Sequence, residues 1–506
     1  MTPEPGRTPA AGSQDPLHDL DLLLRSRYAL ILLETAEEDR AETLLLHLAD
    51  RLGIGMFVWT SSKGLKRSDK PTPIYDTADP ARALAHVESA RFPALYVFRG
   101  LGEYLTDSAL QQRLIDASAP YREVSGAILL LGTGIALGEA HRPHAATVRL
   151  PPPDAEEYRA LLMHIIRDLN SRGRVEIDQT PEETNQLLGA LRGLTLLEAE
   201  KILTKAMVED GRLSPDDIAI VVEAKRHVVE REGLLEYYPL EETMDEVADL
   251  VNLKGWLRKR QVIVSTPERA AEFGLEFPKG VLLLGVPGCG KSLCAKAVAM
   301  EWRLPLLKLD PSNLYNKFIG ESEKNFKRAI ATAERMAPVI LWIDELEKAF
   351  AGAGDSDGGV TQRILGTFLS WLQDRRGDVF VVATANDVSR LPAEFLRKGR
   401  FDEVFFVDLP DEATRREIFS IHLVKRSQDP DTFDLGALAT RAAGFSGSEI
   451  EQAVVAALYT AFSEASSLST EAILDEVAST RPLSKMMNEK ISALRAWAKD
   501  RTVRAN

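Results

Sequence analysis

"GVLLLGVPGCGKSLCAKAVAMEW", residues 280–302, decides how the rest of the chain is read. It opens as a short apolar strand, turns through glycines and runs on as a helix. The turn fits G-x-x-x-x-G-K-[ST] in full, from Gly285 through Val286, Pro287, Gly288, Cys289, Gly290 and Lys291 to Ser292. Glycines let backbone N–H groups face inward around phosphates, and the following helix adds the positive end of its dipole. Lys291 supplies a point charge for the β- and γ-phosphates, and the Ser292 hydroxyl is a ligand for Mg2+. Leu293 completes the set expected to contact nucleotide. For Cys289, a small loop-filling role competes with that of an oxidisable thiol, and buried structural cysteines are commonly inert.

Downstream, "APVILWIDELEKAFAG" (337–352) is a second buried strand, ending in two acids. Acids at a strand's C-terminal edge point into the crevice where ligands sit in parallel sheets. One carboxylate holds Mg2+ and another polarises the attacking water, so their order suggests Asp344 for the metal and Glu345 for the water. A solvated, acid-rich helix start is the competing reading. "DVFVVATAND" (378–387) is a third strand, and Asn386 after it is a neutral group placed to orient that water. "EVFFVDLPDEATRREIFSIHL" (403–423) is a strand followed by a helix. Strands alternating with helices predict an α/β fold with a parallel sheet covered on both faces. From Asp411 onward the pattern turns helical.

The first half repeats this scheme more faintly, with strand-like runs at 28–33, 56–60, 94–98 and 127–131. "VRLPPPDAEEYRALLMHII" (148–166) parallels "VDLPDEATRREIFSIHL" (407–423), and "GLTLLEAEKILTKAM" (193–207) parallels "GFSGSEIEQAVVAAL" (444–458). Two α/β-plus-helical modules in tandem are the economical explanation. The expected division is a disordered tail at 1–16, a degenerate α/β domain at 17–150 and a helical subdomain at 151–232. An ATPase-like large domain at 233–410 and a helical lid with C-terminal helices at 411–506 complete it. In the first module the equivalent corner, within "YALILLETAEEDRAETLL" (28–45), has no Gly-Lys-Ser. "ALYVF" (94–98) is followed by Arg99, Gly100 and Leu101 instead of acids, and "AILLL" (127–131) by "GTG" instead of an asparagine. Hydrolysis is not expected there, and a scaffold, partner site or oligomer contact is.

A net charge of -14 argues against broad nucleic-acid binding, which needs a basic face. No apolar run approaches the length of about eighteen residues that spans a membrane. Two cysteines, Cys289 and Cys294, fit a reducing compartment, the cytoplasm or an organelle interior.

The run from about Met244 to Leu468 resembles an ATPase module of the AAA type within the wider AAA+ group. "TAND" stands in the sensor-1 place, and "LRKGRFDEVFF" (396–406) is similar to the stretch that carries the family's trans-acting arginines. The resemblance implies that Arg397 and Arg400 reach the γ-phosphate of a neighbouring subunit, in a ring that is usually a hexamer. It also implies that Phe318, Ile319 and Gly320, in "NKFIGESEKN" (316–325), form a pore loop gripping a polypeptide. Core packing of Phe318 beside Ile319 is the competing reading. "AGAGDSDGGV" (351–360) suits a mobile second channel loop. Gly447 and Ser448 fall where the sensor-2 turn meets nucleotide. The sequence departs from the family at Lys398 (commonly proline), at Ser448 (commonly alanine), and at Ala248 and Asp249 (commonly two glycines), which leaves the adenine-side contacts open. Over nearly the full length, "SRYALILLETAEEDRA", "WIDELEKAF" and "LRKGRFDEVFF" look like a narrower family of AAA ATPases. That family was first noted as a conserved open reading frame of algal plastids and cyanobacteria.

The resemblance implies ATP as substrate, Mg2+ as cofactor and a homo-oligomer acting on a protein partner. A nucleotide-dependent switch or scaffold that recruits partners without threading them is the alternative. A nucleic-acid motor fits the acidic charge poorly.

Overall fold

A computed structural model describes residues 16–506 except 136, 139, 173–175, 232, 239–247, 249, 311–320, 351–357 and 376. Phe318, Ile319 and Gly320, and most of the Gly-rich segment 351–360, therefore lie outside the described residues. The chain divides into two compact units, Met1–Val221 and Val222–Asn506.

Unit one is built on β1 (Leu30–Glu34), β2 (Gly55–Thr60), β3 (Gly64–Arg67), β4 (Ala94–Arg99), β5 (Ala127–Gly132) and β6 (Ala146–Arg149). Their spatial order is β3-β2-β4-β5-β1-β6, all parallel except the β3 edge. Continuous apolar runs form these strands because both faces are covered. Leu30 and Leu32 of β1 pack into one layer with Trp59, Tyr96 and Phe98, while Ile31 and Leu33 pack into the other with Leu45 and Leu48. The helices Ala155–Arg172, Pro181–Leu191, Leu196–Asp210 and Asp217–Glu230 follow, the last crossing the division between units. Two short strands, β7 (Glu176–Ile177) and β8 (Arg212–Leu213), pair among them.

Unit two is built on β9 (Leu235–Tyr238), β10 (Gly280–Gly285), β11 (Leu306–Leu309), β12 (Val339–Ile343), β13 (Val379–Ala385), β14 (Glu403–Val407) and β15 (Val503–Arg504). The order is β15-β14-β10-β13-β12-β11-β9, with only the β9 edge antiparallel. Alternation again divides the core. Leu282 and Leu284 face Phe326, Phe368 and Phe395, while Val281 and Leu283 face Leu253, Trp302 and Phe405. Leaving out the antiparallel edges and β15, the two sheets have the same order, so the first module shares the layout of the second.

The span from 411 consists of helices and one short strand. Helices Glu412–Val424, Leu435–Arg441, Gly447–Ser463 and Thr470–Ser479 enclose Phe419, Leu438, Phe445, Ile450 and Ile473. Side chains of Asp411, Asp434, Ser446 and Ser469 cap their N-termini, at roughly 1 kcal/mol each. The chain then leaves this bundle and returns to the sheet as β15, a strand that a helical reading of 411–506 does not contain. Two residues are too few to register as strand periodicity. No described helix is long and apolar enough to cross a membrane.

Candidate functional site

Three neighbouring strand ends bring the site together. β10 lies between β14 and β13, and β13 adjoins β12, so the loops after β10, β12 and β13 open on one crevice. Gly285 closes β10 where a Cβ would stand 1.9 Å from the Val407 carbonyl oxygen, a distance only glycine permits. Val286 is fully buried and its N–H donates to that same carbonyl at 3.1 Å. Gly285 and Val286 thus lie beneath the cavity and anchor its floor, whereas Pro287, Gly288, Cys289, Gly290, Lys291, Ser292 and Leu293 line it. The helix Lys291–Trp302 begins at once, with no side chain capping its N-terminus. Its first amides are left to an outside acceptor, which is how such turns take anions.

Lys291 is only 5% exposed. Its Nζ donates to the carbonyls of Gly285 (3.1 Å) and Val286 (2.7 Å), two neutral acceptors. Burial without a bonded carboxylate pulls the ammonium pKa down to about 8. Burial acts oppositely on Cys289, pushing its thiol up to about 12, so the thiolate needed for oxidation is scarce.

Register then sets the acids. Ile343 pairs with Ala383, which places Asp344 and Thr384 side by side. Asp344 Oδ1 accepts from Thr384 Oγ1 at 2.6 Å and from Ser292 Oγ at 3.1 Å. Glu345 N–H donates to Thr384 Oγ1 at 3.0 Å. Glu345 itself has φ +51, an uncommon conformation for a residue with a side chain, costing on the order of 1–3 kcal/mol. Its carboxylate accepts from Asn386 Nδ2 at 3.3 Å and pairs with Lys348. The Asn386 N–H donates to Glu347 Oε1 at 2.9 Å, and burial raises the pKa of Glu347. The hydroxyl and carboxylate at Ser292 and Asp344 are hard oxygen donors beside a phosphate-shaped turn, and this chemistry fits Mg2+.

The cavity has a volume of about 520 Å3. Beyond the loop it is bounded by Leu250, Val407, Pro410, Ile418, Ile421 and His422. The lid reaches the loop directly. Ser446 forms a reciprocal cap with Glu449, fixing the start of the helix Gly447–Ser463, and Ser448 donates to the Gly288 carbonyl from its N–H (3.0 Å) and Oγ (3.3 Å). Gly447 and Ser448 both line the cavity. Arg397 is exposed, Arg400 donates to the Glu394 carbonyl, and neither lines the cavity of its own chain.

Sequence reading missed Thr384, Glu347 and His422. Thr384 carried a signal, a hydroxyl within the apolar run "VFVVATA" beside the strand of the acids. Glu347 and His422 lie in amphipathic helical stretches where their type is ordinary. His422 Nδ1 stands 3.7 Å from Glu451 Oε1, and burial lowers the ring's pKa.

In unit one the corresponding corner is filled by its own charges. Arg99, at the end of β4, donates to Glu38 (2.9 Å) and Glu42 (2.9 Å) and pairs with Asp39. Arg40 bonds both oxygens of Glu157 at 2.8 and 2.7 Å, and also Glu37. Glu37 in turn accepts from the Leu196 N–H at 2.7 Å.

Comparison with known proteins finds three family matches along the chain. Residues 281–409 match the ATPase family associated with various cellular activities (AAA). Residues 16–137 match the SpoVK-like AAA ATPase N-terminal domain, and 156–232 the SpoVK-like AAA ATPase second domain. The chain is 35% identical to the "Uncharacterized AAA domain-containing protein ycf46" of Pyropia yezoensis, over 95% of this chain and 97% of that protein. It is also 35% identical to the protein of that name from Trieres chinensis, over 96% and 97%. With the Guillardia theta protein it shares 34% identity over 95% and 94%. Likeness at this level over nearly the whole length, on a sheet and phosphate loop of the expected form, makes the chain a member of the AAA ATPase family with SpoVK-like domains ahead of its ATPase module.

Proposed function

We propose that this chain hydrolyses ATP as a ring of its own copies and uses the turnover to remodel a protein partner. The observation that carries the reading is the convergence of Ser292, Asp344 and Thr384 with Glu345 and Asn386 at the rim of one phosphate-shaped cavity. Among the described residues Lys291 has only neutral carbonyls as hydrogen-bond partners, so a phosphate oxygen is the better acceptor for it. Ser292 and Asp344 would hold Mg2+, which would supply positive charge to offset that of the phosphates. Glu345 accepts the proton of the attacking water, and Asn386 orients that water. Their mutual bond and the uncommon backbone of Glu345 support roles that depend on a fixed carboxylate. Arg397 and Arg400 lie off their own chain's cavity, which supports their acting on a neighbour's γ-phosphate. Gly447 and Ser448 transmit the state of the loop to the lid. Phe318, Ile319 and Gly320 grip the polypeptide in this reading.

The test is Glu345→Gln in the presence of ATP. The variant binds nucleotide, barely turns over and traps an oligomer with its protein partner, which a pull-down then identifies. Near-wild-type ATPase would sink the assignment. The corner of unit one, occupied by its own ion pairs, favours one competing reading, a nucleotide-dependent scaffold that recruits a partner without threading. Phe318→Ala separates the two. Should the cellular role survive this change while Lys291→Ala abolishes it, the scaffold replaces the motor.

A further inference from the structure

The C-terminal end of the lid region does not stay with the lid. After the helix Asn488–Ala498 the backbone rejoins the ATPase sheet, pairing Val503 with Phe405 and Arg504 with Phe406. The Ala505 N–H donates to the Phe406 carbonyl at 3.0 Å. The Ala505 carbonyl accepts from the N–H groups of Asn252 and Leu253, at 3.0 and 3.1 Å. These amides belong to the first turn of the helix Val251–Ser265, whose N-cap Leu250 has φ 57 and provides no side-chain cap. A carbonyl from a distant part of the chain therefore does what a capping side chain ordinarily does. Asn252 Nδ2 adds bonds to the carbonyls of Arg504 (3.3 Å) and Asn506 (2.9 Å). Ala505 is 0% exposed, packed in the same core layer as Leu250, Leu253, Val281 and Val407. Arg495 also grips both carboxylate oxygens of Asp408, where β14 runs into the lid.

Strand order gives this packing a functional position. The acids and Asn386 stand on the β13–β12 side of the phosphate loop, and β14 and β15 stand on its other side. Ala248, Leu250, Val407, Asp408 and Asn506 line the same cavity from that other side. A nucleotide with its phosphates on the loop and its γ-phosphate toward the acids has its base left to this wall.

We propose that residues 503–506 build the base-side wall of the nucleotide cavity, by capping the helix Val251–Ser265 and so fixing Ala248 and Leu250, and that bound nucleoside diphosphate and docked strand stabilise one another. The proposal rests on the reading of the cavity as a nucleotide site. It assigns a binding role to a segment that no phosphate-site motif covers, on the side where the sequence lacks the family's usual glycine pair. Linkage requires reciprocity, so a ligand held by the wall must strengthen the wall's own bonds.

Two variants and two ligands test it in the full chain. Ala505→Glu forces a charge into the core contact, and Asn252→Ala removes only the side-chain bonds to the strand. ADP affinity falls about tenfold or more in Ala505→Glu, and by a smaller factor in Asn252→Ala, as expected for lost hydrogen bonds. Inorganic tripolyphosphate, which fills the phosphate end without a base, binds both variants as it binds wild type. Equal losses for ADP and tripolyphosphate, or no loss for ADP, would overturn the wall. Hydrogen exchange on the wild-type protein is independent of any folding defect in the variants. Saturating ADP slows the amides of Asn252, Leu253 and Ala505, and unchanged exchange overturns the proposal. Failure of the wild-type protein to bind either ligand removes the nucleotide reading itself, and the wall with it.

Discussion

The end of β1 and the end of β10 occupy the same place in two sheets of matching strand order, and they carry opposite chemistry. At β10 a glycine turn leaves helix amides open, and a buried lysine bonded to the loop's own carbonyls lines the crevice together with the acids that follow β12. At β1 the turn holds Glu34, Glu37, Glu38 and Asp39, and the end of β4, one strand beyond β5, supplies Arg99 where the second sheet has Asp344. The signs are exchanged, and Arg99 and Arg40 offset only part of the acidic charge of the first corner. The sheet survived this exchange because its stability lies in buried alternating apolar residues, such as Leu30 to Leu33, and not in the corner. Chemistry depends on a few residues that the core does not need.

The largest effect that bears on this contrast is the loss of the only corner expected to bind nucleotide. Lys291→Ala abolishes ATP turnover, and calorimetric titration falls from one ADP per wild-type chain to none. A second site per chain, persisting in Lys291→Ala, would mean that the first corner still holds nucleotide. Next comes Arg400→Ala, for which a drop in kcat of about 10³ or more with nucleotide affinity retained is expected of an arginine acting in trans. Mixing it with Lys291→Ala protein restores partial activity through shared sites, and no rescue at any ratio counts against them. Thr384→Val keeps shape but leaves Asp344 and the Glu345 N–H without their shared partner. A cost of about 1–3 kcal/mol, read as a roughly five- to 150-fold fall in kcat/KM, is expected.

A smaller effect comes from the lysine's burial. Its pKa is held near 8, below the ordinary 10.5, so between these values the unfolded chain binds more protons than the folded one. Stability of the nucleotide-free protein therefore rises as pH increases through about 8 to 10.5, by no more than about 3 kcal/mol. A bound polyphosphate favours the charged lysine and raises its pKa again. ADP binding at pH 8.5 or so then takes up protons, measured by titration in buffers of different ionisation enthalpy.

Much of this contrast is written locally. The phosphate loop, the acids after "VILWI" and the asparagine after "VFVVATA" are short motifs at the ends of apolar runs, and strand order merely brings those ends together. The faint first module is legible for the same reason, since its strands are as apolar as the second's. What escapes sequence reading depends on register or on distant pairing. Thr384 matters because Ile343 lies opposite Ala383, which no local pattern states. The antiparallel edges also differ in origin: β3 follows β2 as a hairpin, whereas β9 precedes β10 and joins at the far edge. β15 is two residues long, and Ala505 is a core residue only because the lid's last helix delivers it to β14.

The smallest expected effect tests whether the first corner is structure alone. Arg99 is about a quarter exposed and its partners Glu38 and Glu42 about a third, so solvent screens these pairs substantially. Exposed pairs are worth about 0–1 kcal/mol, and a network of three acids on one guanidinium belongs at the upper end of that range. Arg99→Ala should therefore lower the melting temperature of unit one by about 2–4 °C in calorimetry, with no change in ATPase kcat or KM. A large drop in kcat with an unchanged melting profile would contradict this picture. It would mean that the first corner regulates the second.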